Sequence, residues 1–214
     1  MVGNVQVESA RRRRRRRQDS EREILEAAAR LLRERPFREL TVDDLMAATS
    51  QSRTAFYRHF TDRQDLLVHL IRDLNEELWE MSAGWLRGSG DPLTEGRRSL
   101  ERLADLYAVH GPLLRAIAEA ASHDADVEAV YRAMVQGFVD ATAARIRRDA
   151  AAGRTSLDHP EHVAAALVWM TERHLAATFG RVGATDADRT AALDTLFTIW
   201  MRTLYSPDPE PSAG

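Results

Sequence analysis

The sequence predicts an all-α protein of about nine helices. Apolar residues recur at the three- and four-residue spacing of amphipathic helices, and breaks that contain proline or glycine separate these stretches. Neither a strand-like alternation of apolar and polar residues nor an internal repeat interrupts this pattern. The chain has 214 residues, of which 44% are hydrophobic and 29% charged, so it can bury the sizeable core of a globular protein.

Charge is distributed unevenly along the chain. Residues 1–63 contain 15 arginines and 10 acidic residues, a charge of +5, whereas residues 64–214 carry −8. A basic amino-terminal third on an acidic body indicates that the first part contacts a polyanion. No stretch is apolar enough for a membrane span or an export signal, which favours a cytoplasmic protein. The absence of cysteine excludes disulfides and thiolate metal sites.

Residues 1–18 are predicted to form a disordered arm. They include few apolar side chains and seven consecutive arginines, Arg11 to Arg17, so they have little surface to bury. The arm is either a solvated, self-repelling tail or a segment that neutralises phosphates or enters a minor groove. The element at residues 41–63, described below, favours the second interpretation.

A first helix is predicted from Ser20 to about Arg35. Ser20 and Glu23 have the spacing of a capping box, and Pro36 stops the helix. Its apolar face consists of Ile24, Leu25, Ala28, Leu31 and Leu32, and Phe37 and Leu40 close the same small core.

Residues 41–63 have the pattern of two short helices joined by a tight turn. Thr41 and Asp44 form a capping box for the first helix, and Ser52 can cap the second, in which Phe56 and Phe60 form the buried stripe. An exposed second helix held across a short turn matches the geometry of a recognition helix in a DNA major groove. The side chains expected to face outward are Ser52, Arg53, Thr54, Tyr57, Arg58 and His59.

This stretch resembles the helix-turn-helix of the tetracycline-repressor (TetR) family. The recognition helix of that family typically ends in an aromatic pair, a His-Phe-like pair and a Ser-Lys-Glu-like turn. Here these places hold Phe56-Tyr57, His59-Phe60 and Asp62-Arg63-Gln64. Two positions depart from the family pattern: the usual turn glycine is Ser50, and the usual apolar residue after it is Gln51.

The resemblance implies a homodimeric transcriptional regulator, most often a repressor, that binds a palindromic operator and has neither catalytic activity nor a cofactor. A helical small-molecule carrier or enzyme with a vestigial helix-turn-helix is the alternative, although the basic amino-terminal third argues against it. We expect phosphate contacts from Thr41, Tyr57, His59 and Arg63, and base-edge contacts from Ser52, Arg53, Thr54 and Arg58.

The rest of the chain reads as a long connecting helix followed by five more. Thr61 or Asp62 can cap the connecting helix, which reaches the glycine-rich break at residues 88–92. We place a domain boundary at its start, with a head at residues 19–63 and a body at residues 64–206, and expect a disordered tail at residues 207–214. Gly111-Pro112 is expected to separate two of the body helices. The five helices are predicted near residues 93–110, 112–121, 124–153, 160–180 and 186–206.

The bulky side chains of the body either fill a core or line an elongated apolar cavity between helices. The family resemblance favours the cavity, because most members bind a small effector there. Residues 155–205 are also similar to the ethionamide-resistance-regulator subgroup, in the run from Met170 to Arg173 and in Ile199-Trp200; that subgroup has an amide side chain where this chain has Thr171. The candidate contacts of a hydrophobic effector are Met81, Trp85, Leu103, Tyr107, Met134, Phe138, Met170, Thr171 and Trp200.

The last two helices are the candidate dimer surface, through small residues and the apolar face of the final helix. His159 and His162 are spaced to meet a metal, but no third ligand is evident, so no metal site is expected. Nucleophile elbows, phosphate loops and dinucleotide fingerprints are missing from the sequence. The small residues of the dimer surface are Ala164, Ala165, Val168, Ala176 and Ala177.

Overall fold

The computed structural model describes residues 2–88, 90–180 and 183–205, and it confirms the all-α prediction. Within these ranges there are eight α-helices, and a short 3-10 turn over Phe37–Glu39 follows the first. The tail predicted at residues 207–214 lies outside the described residues. The helices are α1 (Val2–Leu31), α2 (Val42–Ala47), α3 (Arg53–His59), α4 (Arg63–Arg87), α5 (Pro92–Ala121), α6 (Ala125–Ala151), α7 (Pro160–Phe179) and α8 (Asp186–Tyr205).

The head is a small bundle in which α1, α2, α3 and the first turns of α4 share a core. The predicted caps are confirmed: Thr41 and Asp44 form a reciprocal capping box, and Ser52 and Asp62 cap α3 and α4. Hydrogen bonds from Thr41 lower the pKa of Asp44 to about 2. The buried side chains of the head include Ile24, Leu32, Leu40, Leu45, Phe56, Phe60, Leu66 and Leu67.

Helix α1 differs from the prediction at both ends. It begins at Val2, so residues 2–18 are helical rather than a disordered arm, and Ser20 lies inside the helix instead of capping it. Arginine and glutamate are good helix formers, and the basic run can therefore continue the helix without contributing to the core. The helix ends at Leu31, and hydrogen-bonded turns over residues 32–35 lead to Pro36.

The expected break at Gly111-Pro112 is wrong, because α5 passes through it as one helix of 30 residues. Proline inside a helix removes one backbone hydrogen bond, at a cost of about 3 kcal/mol. Burial of Leu106, Leu113 and Ile117 on both sides of the proline favours the continuous helix. This merger reduces the expected nine helices to eight in the described part of the chain.

Gly111 lets two helices of the body approach closely. A Cβ atom at this position would overlap with the carbonyl oxygen of Phe179, which is the last residue of α7. Real Cβ atoms do not approach backbone oxygens so closely. Gly111 therefore allows α5 and α7 to pack closely and does not end a helix.

Helix α4 joins the head to the body. Its 25 residues span about 37 Å at 1.5 Å per residue. Leu66 and Leu67 are buried in the head, whereas Leu78 and Trp85 are buried in the body, and a continuous apolar core connects them. The helix ends at Arg87 and is followed by Gly88, whose positive φ of 74° gives the left-handed cap that favours glycine.

Part of the apolar face proposed for the dimer contact lies inside the protomer. Ala164 and Ala176 are buried, and the apolar face of α8 packs on the other body helices. The sequence pattern shows which face of a helix is apolar, but both the core and a partner subunit can use such a face. Exposed residues of α7 and α8 include small or apolar ones, namely Ala166, Ala177, Ala191, Thr195, Thr198 and Ile199.

None of the helices in the described ranges is long and apolar enough to cross a membrane.

Replacing Gly111 by alanine is expected to lower the free energy of unfolding by about 1–3 kcal/mol, because the new methyl group overpacks the contact with α7. Gly137→Ala is the matched control in α6, since its Cβ would meet only a side-chain atom of Trp79, at 3.3 Å. Urea denaturation of the two variants measures the difference. Equal midpoints would contradict the close approach of α5 and α7.

Candidate DNA-binding surface and ligand cavity

Helix α3 has an exposed polar face, and buried aromatic side chains anchor its opposite face. The rings of Phe56 and Phe60 are buried with centroids 5.3 Å apart, and Tyr57 packs edge-on against Phe56 at 5.3 Å while 53% of it remains exposed. Because the inward face is anchored, the outward side chains have a defined direction. Those exposed as the sequence predicts are Ser52, Arg53, Thr54, Tyr57 and Arg58.

Arg53 is held by an acidic residue of the preceding helix. Its Nη1 atom donates to both carboxylate oxygens of Asp43, at 2.7 and 2.8 Å. This pairing, assisted by Tyr57, raises the pKa of Arg53. The ion pair is exposed, so its net contribution to stability is small and a stronger anionic partner can replace it.

The outward placement predicted for His59 is wrong. Its side chain is 1% exposed, and neither ring nitrogen has a hydrogen-bond partner among the described residues. Glu21 of α1 lies 3.8 Å from Nδ1, and burial lowers the pKa of His59. Helix α1 passes over this end of α3, which the local sequence pattern of α3 cannot reveal.

Arg63 and Thr41 form hydrogen bonds within the head. Nη1 of Arg63 donates to the carbonyl of Leu40, and the guanidinium lies 5.3 Å from the ring centroid of Phe37. Arg63 therefore fixes the start of α4 against the loop before α2. Thr41 is exposed, and its hydroxyl donates to Asp44 at 2.6 Å.

The turn between α2 and α3 is attached to α1 by a polar cluster that the sequence analysis did not anticipate. Glu23 accepts from the backbone N–H of Ser50 at 2.6 Å and from the amide of Gln51 at 2.6 Å. The hydroxyl of Ser20 donates to the side-chain oxygen Oε1 of Gln51 at 2.9 Å. The bonds from Ser50 and Gln51 lower the pKa of Glu23. Ser50 and Gln51, which depart from the family pattern, are thus matched by Ser20 and Glu23.

The body contains a cavity of about 120 Å³ between α4, α5, α6, α7 and α8. Most of the candidate effector contacts line it, but Met81 and Met170 do not; they are partly buried and pack on the core. The sequence analysis did not select Ser99, Thr142 or Glu172, which also line the wall. The candidate residues in the wall are Trp85, Leu103, Tyr107, Met134, Phe138, Thr171 and Trp200.

A few polar groups interrupt the apolar wall. The indole N–H of Trp200 donates to the hydroxyl of Thr171 at 2.8 Å, and the rings of Trp200 and Trp85 are perpendicular, with centroids 5.4 Å apart. Glu172 follows Thr171 on α7 and is also buried. Burial, and next the charge of Glu172, raise the pKa of Tyr107.

A buried ion pair fixes the end of α4 beside the cavity. Arg145 of α6 is 2% exposed, donates to the backbone carbonyl of Trp85 and bonds Asp149 at 2.7 Å. Asp149 also accepts from Tyr205 at 2.7 Å and from Arg154 at 3.0 Å. Burial opposes the charge of Asp149, but the bonds outweigh it and its pKa is lowered. Helices α4, α6 and α8 therefore meet at one satisfied polar cluster.

The described residues contain no group of three or more histidine and acidic side chains arranged to hold a metal. The rings of His159 and His162 have centroids 6.2 Å apart, and both residues are exposed.

Comparison with known proteins gives two family matches and a consistent set of relatives. Residues 24–70 match "Bacterial regulatory proteins, tetR family", and residues 96–206 match "Transcriptional regulator EthR, C-terminal domain". The HTH-type transcriptional regulator EthR of Mycobacterium tuberculosis is 30% identical over 195 residues, which cover 87% of this chain and 88% of that protein. Its counterpart in Mycolicibacterium smegmatis is 28% identical over 200 residues, covering 91% and 90%.

Solved structures show the same fold at lower identity. A putative TetR-family regulator from Syntrophomonas wolfei superimposes with a TM-score of 0.73 at 12% identity and covers 92% of this chain and 99% of that one. Regulatory protein TetR from Rhodobacter sphaeroides gives 0.68 at 20% identity, covering 84% and 97%.

Replacing Glu23 by alanine is expected to weaken the attachment of the turn and to lower the hydrogen-exchange protection of the Ser50 amide. In the unchanged protein this protection is present above the ordinary glutamate pKa of 4.5 and is lost as pH falls through the lowered pKa of Glu23. Glu26→Ala is the control, since Glu26 is an exposed residue of α1 that lies 3.7 Å from Arg22. Unchanged protection in Glu23→Ala would show that the cluster does not hold the turn.

Proposed function

Since this chain belongs to the TetR family of transcriptional regulators and is of the EthR type, we propose that it is a repressor released from DNA by a small hydrophobic effector. It binds a palindromic operator as a homodimer in the cytoplasm. The observation that carries this proposal is α4, which has buried residues in the head and contributes Leu78 and Trp85 to the cavity wall. One rigid element thus touches both the DNA-binding head and the effector site.

The exposed face of α3 is proposed to enter the major groove. Arg53, Thr54 and Arg58 are the candidates for base edges, with Ser52 at the start of the helix. Tyr57 and Thr41 are exposed and are assigned to phosphates. His59 and Arg63 are assigned to positioning, since one is buried and the other bonds backbone carbonyls of the head. In a dimer, the two α3 helices reach successive major grooves when they lie about 34–36 Å apart.

The basic run of α1 is proposed to lie along the phosphate backbone. Arg11 to Arg17 are exposed and extend the helix away from the head core. An α-helix with side chains is about 10–12 Å wide, whereas the minor groove is about 6 Å wide, so a helical run is too thick for minor-groove insertion. Seven guanidinium groups on one segment suit counterion release along the duplex.

The outer faces of α7 and α8 are proposed to form the dimer contact. Their exposed side chains include several small ones, such as Ala166, Ala177 and Thr195, and Ile199 is a large apolar residue that is 37% exposed. Small residues allow helices of two protomers to pack closely around a two-fold axis.

Effector binding is proposed to move α4. A ligand in the cavity presses on Leu78 and Trp85, while the Arg145 cluster holds the end of the helix. The resulting tilt changes the position of the head, whose Arg38 pairs with Glu119 of α5 at 3.1 Å. The effector releases DNA only to the extent that it prefers the tilted conformer.

The direct test combines a gel-shift assay on the DNA upstream of the chain's own gene with light scattering. A dimer that binds this DNA specifically is expected. A monomer that ignores DNA at low salt would overturn the proposal and favour the helical carrier or enzyme with a vestigial helix-turn-helix.

Arg53→Ala is expected to relax base preference at one operator position, at a cost of about 1–3 kcal/mol for the preferred base. Tyr57→Ala is the comparison, since loss of a phosphate contact weakens binding to all duplexes alike. Fluorescence titrations on the operator, single-base variants and random DNA measure both effects. An equal loss on all duplexes in Arg53→Ala would show that Arg53 does not read a base.

Replacing Arg11 to Arg17 by glutamine is expected to reduce the salt dependence of DNA binding. The slope of log K against log salt should fall by about 0.9 for each arginine that contacts a phosphate. Glutamine has nearly the same helix propensity, so the helix remains. A double variant with glutamine at Arg102 and Arg115, both exposed on α5, is the control. An unchanged slope in the variant of Arg11 to Arg17 would show that these arginines do not contact DNA phosphates.

A further inference from the structure

Glu172 gives the cavity a chemical feature that its apolar wall does not predict. The side chain is 9% exposed, and its Oε2 atom has no hydrogen-bond partner. The guanidinium of Arg173 lies 3.8 Å from this oxygen, beyond hydrogen-bond distance, and Arg173 is 69% exposed. The hydroxyl of Tyr131 is buried close to Glu172, and burial, together with its interaction with this carboxylate, raises the pKa of Tyr131. The two groups do not reach good hydrogen-bond geometry, so the Oε2 atom of Glu172 can accept from a ligand.

The other buried carboxylate of the body, Asp149, differs from Glu172 because its oxygens are hydrogen-bonded. Asp149 has bonds from Arg145, Arg154 and Tyr205, whereas Glu172 keeps an unused acceptor. Burial of a carboxylate without a partner is costly. A ligand that supplies a charged donor removes this cost when it binds.

The rest of the cavity wall also suits a positively charged ligand. Among the described residues that line the cavity, Glu172 is the only acidic one and none is basic. Four aromatic side chains line it: Trp85, Tyr107, Phe138 and Trp200. Aromatic faces attract cations, and this attraction grows when the cation is removed from water. The cavity therefore favours a positive charge and disfavours a negative one.

We propose that the effector is a compact lipophilic cation, an apolar amine whose ammonium group bonds Glu172 while its apolar part lies among the aromatic side chains. The inference rests on the proposed effector function and names its ligand class. The volume of about 120 Å³ limits the size to one small ring, since it is slightly below the cavity of about 150 Å³ that holds one benzene molecule. An aryl-alkyl amine of one ring and a short chain is at the upper limit, and the side chains of the wall have to move apart to admit it.

Three probes of nearly equal shape test the charge preference: 2-phenylethylamine, 2-phenylethanol and 3-phenylpropanoate. Isothermal calorimetry on the full chain at neutral pH is expected to show that the amine binds at least tenfold more tightly than the alcohol. The anionic probe should bind more weakly than either. Equal affinity for the amine and the alcohol, no binding of the amine, or tighter binding of the anion would overturn the proposal.

Glu172→Gln assigns the preference to this side chain. The variant is expected to lose tenfold or more in amine affinity while alcohol binding is unchanged, which also reports that the cavity remains folded. Glu80→Gln, at an exposed position of α4, is the charge-matched control and should bind the amine like the unchanged protein. Retained amine preference in Glu172→Gln would overturn the proposal, and the probe series on the unchanged protein decides it if the variant does not fold.

Release of the upstream DNA by the same probes separates this inference from the proposed function. An amine that binds through Glu172 without releasing DNA supports the ligand class and contradicts the effector role. Neutral compounds that bind best and release DNA support the effector role and contradict the ligand class.

Discussion

The continuous apolar core along α4 is the constraint on which the other features depend. Its amino-terminal leucines are packed under α1 and α3, and its last turns support the cavity wall, so one packed helix connects the head to the cavity. Closely packed interiors transmit such displacements because they contain few voids that absorb them. The cavity is the exception, and it lies beside the part of α4 that is farthest from the head.

The two buried carboxylates of the body serve different purposes. Asp149 is surrounded by donors from three residues and joins α4, α6 and α8 into a fixed unit. A buried ion pair compensates its desolvation only when such additional hydrogen bonds are present. Glu172 lacks this compensation and faces a space that a ligand can fill. Asp149 thus stabilises the packing of the helices, whereas Glu172 is the residue that we propose to select the ligand.

In the head, hydrogen bonds from α1 hold the turn of the helix-turn-helix in place. Ser50 and Gln51 replace the glycine and apolar residue typical of the family, and Glu23 binds both of them from α1. The same helix crosses the end of α3 and buries His59 near Glu21. Helix α1 is therefore part of the DNA-binding element as well as a packing partner.

The sequence by itself determined the all-α class, the helix-turn-helix, three helix caps and seven residues of the cavity wall. These follow from spacing and from side chains that act within one or two turns, so local patterns contain them. Only the tertiary structure decided that α5 continues through Pro112, that His59 is buried, that Ala164 and Ala176 face the protomer's own core, and that Glu172 lines the cavity. Each of these depends on a neighbour distant in sequence, and a periodic pattern shows which face is apolar without showing what covers it.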